Sequence, residues 1–123
     1  MALKASSIIE RIKAGEITIE PFSEDRLKEA SYTLSIDRDL TLEPGVFSVV
    51  ETNEKLGLGS SICGILFTRG SIARRGVDAL MTDCFVEPGF KGKLKLSVIN
   101  NSQEVVTFKA EQTFVKIVFS QVE

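Results

Sequence analysis

Histidine is absent from the chain, and so is tryptophan. Without histidine there is no imidazole general base, no Ser-His triad and no histidine metal ligand. Cysteine occurs twice, at Cys63 and Cys84, far apart and without a Cys-x-x-Cys pair. Zinc-dependent base deamination needs a His or Cys together with such a pair, so no zinc is expected and any deamination would have to be metal-free. Both thiols stand among apolar neighbours and are expected to be buried, and the sequence leaves a disulfide between them open. No apolar run approaches the roughly 18 residues of a membrane span. Met1-Ala2-Leu3-Lys4 has no apolar export segment, so a cytoplasmic location without membrane association is the expectation. The net charge is −2. No overall basic field therefore argues for nucleic acid, although a locally basic pocket stays open.

With 123 residues, 43% hydrophobic and 26% charged, the chain suits one globular domain over residues 1–123. Eight phenylalanines and one tyrosine must supply the aromatic part of its core. Ser7-Ile8-Ile9-Glu10 reads as a capping box, and Ile8, Ile9 and Ile12 form an apolar stripe that Gly15 ends, which predicts a helix over 7–14. Ile17 to Glu20 is a short strand ended by Pro21; residues 21–30 read as a loop with some helix. Tyr32 to Ile36 alternates as a half-buried strand. Leu40–Leu42, the turn Glu43-Pro44-Gly45 and Val46–Val50 read as strand, turn, strand. Residues 53–60 read as a polar, glycine-containing connection. Ile62 to Phe67 is a buried strand, 77–85 is mixed, and 94–99, 105–109 and 114–119 are three more strands, with turns at Asn100-Asn101-Ser102 and Ala110-Glu111-Gln112. Many short strands, regular turn signals and one clear helix make the fold class all-β.

The stretch Thr68-Arg69-Gly70-Ser71-Ile72-Ala73-Arg74-Arg75-Gly76 follows the buried strand. Gly70 permits a tight turn or close approach of a ligand. Ser71 is expected to cap a short helix that Gly76 ends. A strand, a Gly/Ser turn and a helix start offer N–H groups to an anion, and Arg69, Arg74 and Arg75 add cationic forks suited to phosphate. The alternative is a surface turn with solvated arginines. Downstream comes Val86-Glu87-Pro88-Gly89-Phe90-Lys91-Gly92, then an alternating strand that ends in Asn100.

Arg-Gly-Ser-Ile-Ala-Arg followed by Val-Glu-Pro-Gly-Phe-Lys-Gly resembles the second and third motifs of the dCTP deaminase/dUTPase family. Ala14-Gly15-Glu16-Ile17, Ile19-Glu20-Pro21-Phe22 and Ala30-Ser31-Tyr32-Thr33-Leu34 resemble the opening of its deaminase branch, and 110–119 aligns with its fourth motif. The likeness spans nearly the whole chain. It implies a distorted β-barrel or jelly-roll-like domain with one N-terminal helix, assembled as a homotrimer with nucleotide sites at the subunit interfaces.

By the same resemblance Arg69 and Ser71 contact the triphosphate, with Gly70 in place of a usual Ser. Arg74 matches an arginine near the base and its attacking water; the alternative is a surface or interface arginine. Glu87 stands for the aspartate that orients the attacking water, with a turn carboxylate as the alternative. Phe90 replaces an aromatic residue that packs on the sugar, or is an ordinary core residue. Thr33 stands where the family usually has Asp, and Lys116 where it usually has Gln. Asp83 and Cys84 put bulk near the expected base pocket. Ser97 occupies the position of the deaminase branch's proton-shuttling Glu and looks like the dUTPase branch instead, so deamination of dCTP is not expected. The chain ends at Glu123, without the Gly-rich tail that closes over the triphosphate in dUTPases, which is expected to weaken catalysis. The resemblance thus implies a dUTPase-type diphosphohydrolase. Glu87 is its catalytic residue; Arg69, Gly70, Ser71, Arg74, Asp83, Phe90 and Lys116 bind substrate, and Mg²⁺ bridges the substrate phosphates. The alternative is a non-catalytic homotrimer that binds, senses or sequesters a nucleotide.

Overall fold

Alternation of side chains along strands sets much of the architecture, because a strand with one covered face buries every second residue. The computed structural model describes residues 1–81 and 83–123. Helix α1 (Ala5–Lys13) leads into β1 (Ile17–Glu20), a 3₁₀ turn (Glu24–Arg26), β2 (Tyr32–Ser35), β3 (Leu40–Leu42) and β4 (Phe47–Leu58). β5 (Ile62–Thr68), the one-turn helix α2 (Gly70–Ala73), β6 (Val77–Asp78) and β7 (Phe85–Val86) follow, and then β8 (Lys91–Asn100), β9 (Val106–Phe108) and β10 (Thr113–Gln121). The antiparallel strands form one sheet in the order β1-β4-β8-β6, a second in the order β2-β10-β5-β7, and a ribbon of β3 with β9. This is the all-β class that the strand pattern predicts, and it is compatible with the barrel- or jelly-roll-like form that the resemblance implies. Among the described residues no helix is long and apolar enough to cross a membrane.

The core lies between the sheets. Tyr32, Leu34, Phe108, Phe114, Ile117 and Phe119 are fully buried, with Phe108 edge-on to Phe114 at 4.9 Å. Helix α1 closes one end through Ile8, also fully buried. Tyr32 stacks on Phe22, and its hydroxyl accepts the Ser23 N–H at 2.9 Å. Burial pushes the Tyr32 phenol up from its ordinary value, with the Ser23 bond acting in the opposite sense.

Several details depart from the sequence-based expectation. The helix starts at Ala5, not Ser7, and no side chain caps it. Its first N–H, from Ala5, is instead accepted by the Glu29 carbonyl at 2.7 Å, so a tertiary contact replaces the capping box. Gly15, with φ +78°, does end the helix. β2 is buried on both faces rather than half-buried, because the Arg26 loop covers it: the Thr33 hydroxyl donates to the Arg26 carbonyl at 3.1 Å. Residues 53–58 belong to β4 and are not a connection. Val50, Thr52, Glu54, Leu56 and Leu58 keep the inward rhythm, but two of the five are polar, and the register against β8 shifts between Glu51 and Lys55. Ser71 lies inside α2 and caps nothing. Cys63 is buried as expected; Cys84 is exposed, and both thiols are free. Cys84 precedes an edge strand whose Phe85 is also exposed, so apolar neighbours were a poor guide there. Glu111 adopts φ +68°, a left-handed conformation that favours glycine.

Glu54 is fully buried and bridges the two sheets. Its carboxylate accepts Arg26 Nη1 at 2.5 Å, the Ser35 N–H at 2.9 Å and the Ser35 hydroxyl at 2.8 Å. Arg26 also donates to Ser35 Oγ at 2.9 Å and to the Glu111 carbonyl at 3.4 Å. Removing one partner of a buried pair strands the other charge, at a cost of about 3–5 kcal/mol. Arg26→Met is therefore expected to lower stability by about that much, read as a reduced urea midpoint at unchanged slope.

Candidate functional site

The Arg69–Gly76 stretch turns off β5 and builds one wall of a cavity of about 380 Å³. Arg69, Gly70, Ser71 and Arg74 come from this turn, and Lys116 and Thr33 from the adjoining strands β10 and β2. Lys28 and Ser31, on the loop ahead of β2, complete the lining. That loop is braced by mutual contacts of its own, the Lys28 N–H donating to the Ser31 carbonyl at 2.8 Å. The cavity has four cationic side chains, three hydroxyls and no carboxylate. Among the described residues, none of the four cations is in an ion pair. Such a surplus of charge-bearing donors suits a multiply charged oxyanion.

The three arginines of the motif have different surroundings. Arg69 donates to the Thr113 hydroxyl, which fixes its guanidinium against the start of β10. Arg74 folds back over the bare backbone of Gly70: a Cβ built there would fall 2.9 Å from Arg74 Nη1. The missing side chain at 70 thus makes room for the Arg74 fork. Arg75 lies over the Phe108 ring at 4.6 Å, outside the cavity lining.

Glu87 and Asp83 line a different cavity, of about 320 Å³ and mostly apolar walls. Leu66, Phe85, Val86 and Phe90 supply apolar surface there, with Lys93 and Lys95 from β8 at the rim. The segment Glu87-Pro88-Gly89-Phe90 is a turn closed by the Phe90 N–H to the Glu87 carbonyl at 3.2 Å. It is pinned to the end of β4, where the Gly89 N–H donates to Leu58 and the Leu58 N–H to Phe90. Asp78 Oδ1 shapes the preceding loop by accepting the Leu80 and Met81 N–H groups, both at 2.9 Å. Thr82, within the stretch 77–85 whose structure the sequence left open, lies outside the described residues. Lys93 approaches Asp37 at 3.6 Å.

The expected site residues therefore fall into two groups. Arg69, Gly70, Ser71, Arg74 and Lys116 meet in the cationic cavity, and Asp83, Glu87 and Phe90 in the other; no residue lines both. Across the second sheet Thr33, Lys116 and Phe67 share a row, whereas Tyr32, Ile117 and Leu66 form the next. Adjacent rows point to opposite faces. The cationic cavity lies on the outer row, and the second cavity reaches Leu66 of the inner one. Ser97, opposite Val49, and Cys84 line neither cavity. Lys28 and Ser31 escape sequence inspection because only the folded loop brings them to the motif.

A divalent cation such as Mg²⁺ seeks carboxylate, carbonyl or water oxygens. The cationic cavity offers no carboxylate to one, and among the described residues no three acidic or cysteine side chains are grouped to hold a metal ion. The donor set does not fit a protein-held metal.

A family model for dCTP deaminase-like proteins matches residues 33–122, and the chain belongs to the dCTP deaminase/dUTPase family. It is 33% identical over 123 residues to a dCTP deaminase of Pyrococcus horikoshii, covering 88% of this chain and 78% of that protein. It is 29% identical over 103 residues to a dUMP-forming dCTP deaminase of Methanosphaera stadtmanae, covering 82% of this chain and 52% of that one. The fold is similar to that of a 2′-deoxycytidine 5′-triphosphate deaminase from Agrobacterium tumefaciens (TM-score 0.81, 16% identity), covering 98% of this chain and 48% of that one. It is also similar to the EIAV dUTPase, with TM-score 0.72 and 14% identity, over 87% of this chain and 89% of that one. A similar phage phi11 dUTPase, at TM-score 0.72 and 13% identity over 87% of this chain and 91% of that one, coordinates a structural Mg(II) ion.

Gly70→Ser is expected to push Arg74 aside at almost no cost in stability, because the atom displaced is the free end of an exposed side chain. Thermal unfolding should change by less than about 0.5 kcal/mol, while the Arg74 side-chain Nε resonance shifts in a nitrogen-15 NMR spectrum.

Proposed function

We propose that the protein binds a deoxyribonucleoside triphosphate and hydrolyses it to a nucleoside monophosphate and pyrophosphate. The observation that carries this is the cationic cavity, with four unpaired positive side chains and no carboxylate. Arg69, Ser71, Arg74 and Lys116 hold the phosphate chain. Phe90 and the apolar wall around Leu66 and Phe85 take the sugar and base. Glu87 accepts a proton from water as its oxygen bonds to phosphorus, and the bond to the departing pyrophosphate breaks. The bond thus cleaved is the one joining the α-phosphoryl group to the pyrophosphate.

These groups act on one substrate only when the two cavities meet, and on a single chain no residue lines both. Copies of the chain arranged as a homotrimer bring one chain's cationic cavity against the next chain's Glu87. Phe67, 45% exposed on the Lys116 row, and Phe85, 48% exposed beside the second cavity, supply apolar surface for that contact.

The P. horikoshii and M. stadtmanae relatives are dCTP deaminases. Ser97 weighs against deamination here, since a hydroxyl at that position cannot carry the proton a carboxylate would. The exposed position of Glu87 also favours a second reading, an assembly that binds or sequesters the nucleotide without turnover.

The test is release of pyrophosphate and of ammonia from each deoxynucleoside triphosphate, with and without Mg²⁺, beside Glu87→Ala. One nucleotide is expected to yield pyrophosphate without ammonia, at a rate at least about a hundredfold lower in the variant. No turnover, with thermal stabilisation near 2.7 kcal/mol at about 100 times the dissociation constant, would instead establish the binder.

Phe67→Glu, which alters neither cavity's lining, is expected to convert the assembly to monomer in sedimentation velocity. Turnover should vanish with it.

A further inference from the structure

The charge balance of the cationic cavity goes beyond a general affinity for phosphate. Resting on the assignment of this cavity to the phosphate chain, we propose that the chain is bound as the metal-free polyanion, with Lys116 supplying charge that a divalent cation would otherwise bring.

The placement of Lys116 leads to this. It projects from β10 on the outer row, directly opposite Thr33 of β2 and Phe67 of β5. Among the described residues it has neither a hydrogen bond nor an ion pair, and it is exposed. Arg69 and Arg74 stand across the same cavity, and Lys28 on the loop wall. Lys28 Nζ uses one donor on the Asp25 carbonyl at 2.9 Å and keeps two. A triphosphate entering here meets four cations, roughly matching its own charge. A metal ion accompanying it would find hydroxyls but no anionic ligand in this lining, and would be repelled by every charged side chain there, while the neighbouring chain's Glu87 is committed to the attacking water. Mg²⁺ should therefore compete with the protein for the phosphate oxygens rather than assist binding.

Inorganic triphosphate is the probe, since it engages this cavity without base or sugar. Its affinity would be measured by titration calorimetry in EDTA and again in excess Mg²⁺, for the wild-type chain, Lys116→Gln and Thr33→Asp/Lys116→Gln. The wild type is expected to bind in EDTA and to bind no more tightly, or several-fold more weakly, with Mg²⁺. Lys116→Gln should lose about ten- to a hundredfold in EDTA, the worth of one charge-assisted hydrogen bond. The double variant, which puts a carboxylate on β2 facing the neutralised position, should bind at least about tenfold more tightly with Mg²⁺ than without. Lys116 is exposed, so thermal unfolding of Lys116→Gln should stay close to wild type; Thr33 is buried, so the double variant is titrated at a temperature well below its own unfolding transition. Binding that requires Mg²⁺, or strengthens tenfold with it, would overturn the proposal while leaving the phosphate assignment intact. An unchanged affinity in Lys116→Gln would likewise overturn it. Absence of binding in both buffers would remove the proposal and the phosphate assignment together.

Discussion

The carboxylate of Glu54, sealed from solvent, is the constraint on which the rest of the structure turns. It belongs to β4 in one sheet and grips Ser35 of β2 in the other, so a single side chain fixes how the sheets face each other. A buried carboxylate is tolerable only when nearly every lone pair is engaged, and Arg26 completes that set. Arg26 in turn ends the 3₁₀ turn from which the chain runs through Lys28 and Ser31 into β2. The loop that walls the cationic cavity therefore hangs from an ion pair in the interior. Its outer charges depend for their position on an inner one of opposite sign.

The arginine-rich turn shows how one short motif divides its labour. Arg69 is held by a threonine, Arg74 occupies space that a missing side chain leaves, and Arg75 spends its charge on an aromatic face. Two point into the cavity and one secures the turn to the core. Like charges crowded this way repel, and the repulsion is moderated by solvent because the cavity is open. The other half of the proposed chemistry sits in a separate, mostly apolar cavity, where a turn pinned to β4 places Glu87 in the lining. On the proposed reading, catalytic competence would belong to the assembly, and the isolated chain would carry two complementary halves of it.

Strands built on short apolar runs, such as those within Ile62–Thr68 and Thr113–Gln121, could be read directly from the sequence. β4 could not, because Thr52 and Glu54 occupy inward positions and disguise its second half as a loop. The capping box failed for a related reason: distant backbone supplied the acceptor that Ser7 was expected to provide. In the candidate site, residues adjacent in the motif were legible, and Lys116 was reached through alignment with the fourth motif. Lys28 and Ser31 carry no local signal, since their place is decided by Arg26 and Glu54, far away in sequence. The separation of Glu87 from the arginines was equally hidden, because it follows from where the pairing of β7 with β5 and the turn pinned to β4 carry Glu87.

The unequal fate of the two cysteines gives the molecule a built-in reporter. Cys63 is enclosed, whereas Cys84 is open to solvent between Asp83 and Phe85, two residues that line the Glu87 cavity. A thiol-specific fluorophore would therefore attach at one address without any engineering. Its emission would register how wet or how crowded the surroundings of that cavity are, separating the lone chain from the assembled one in real time.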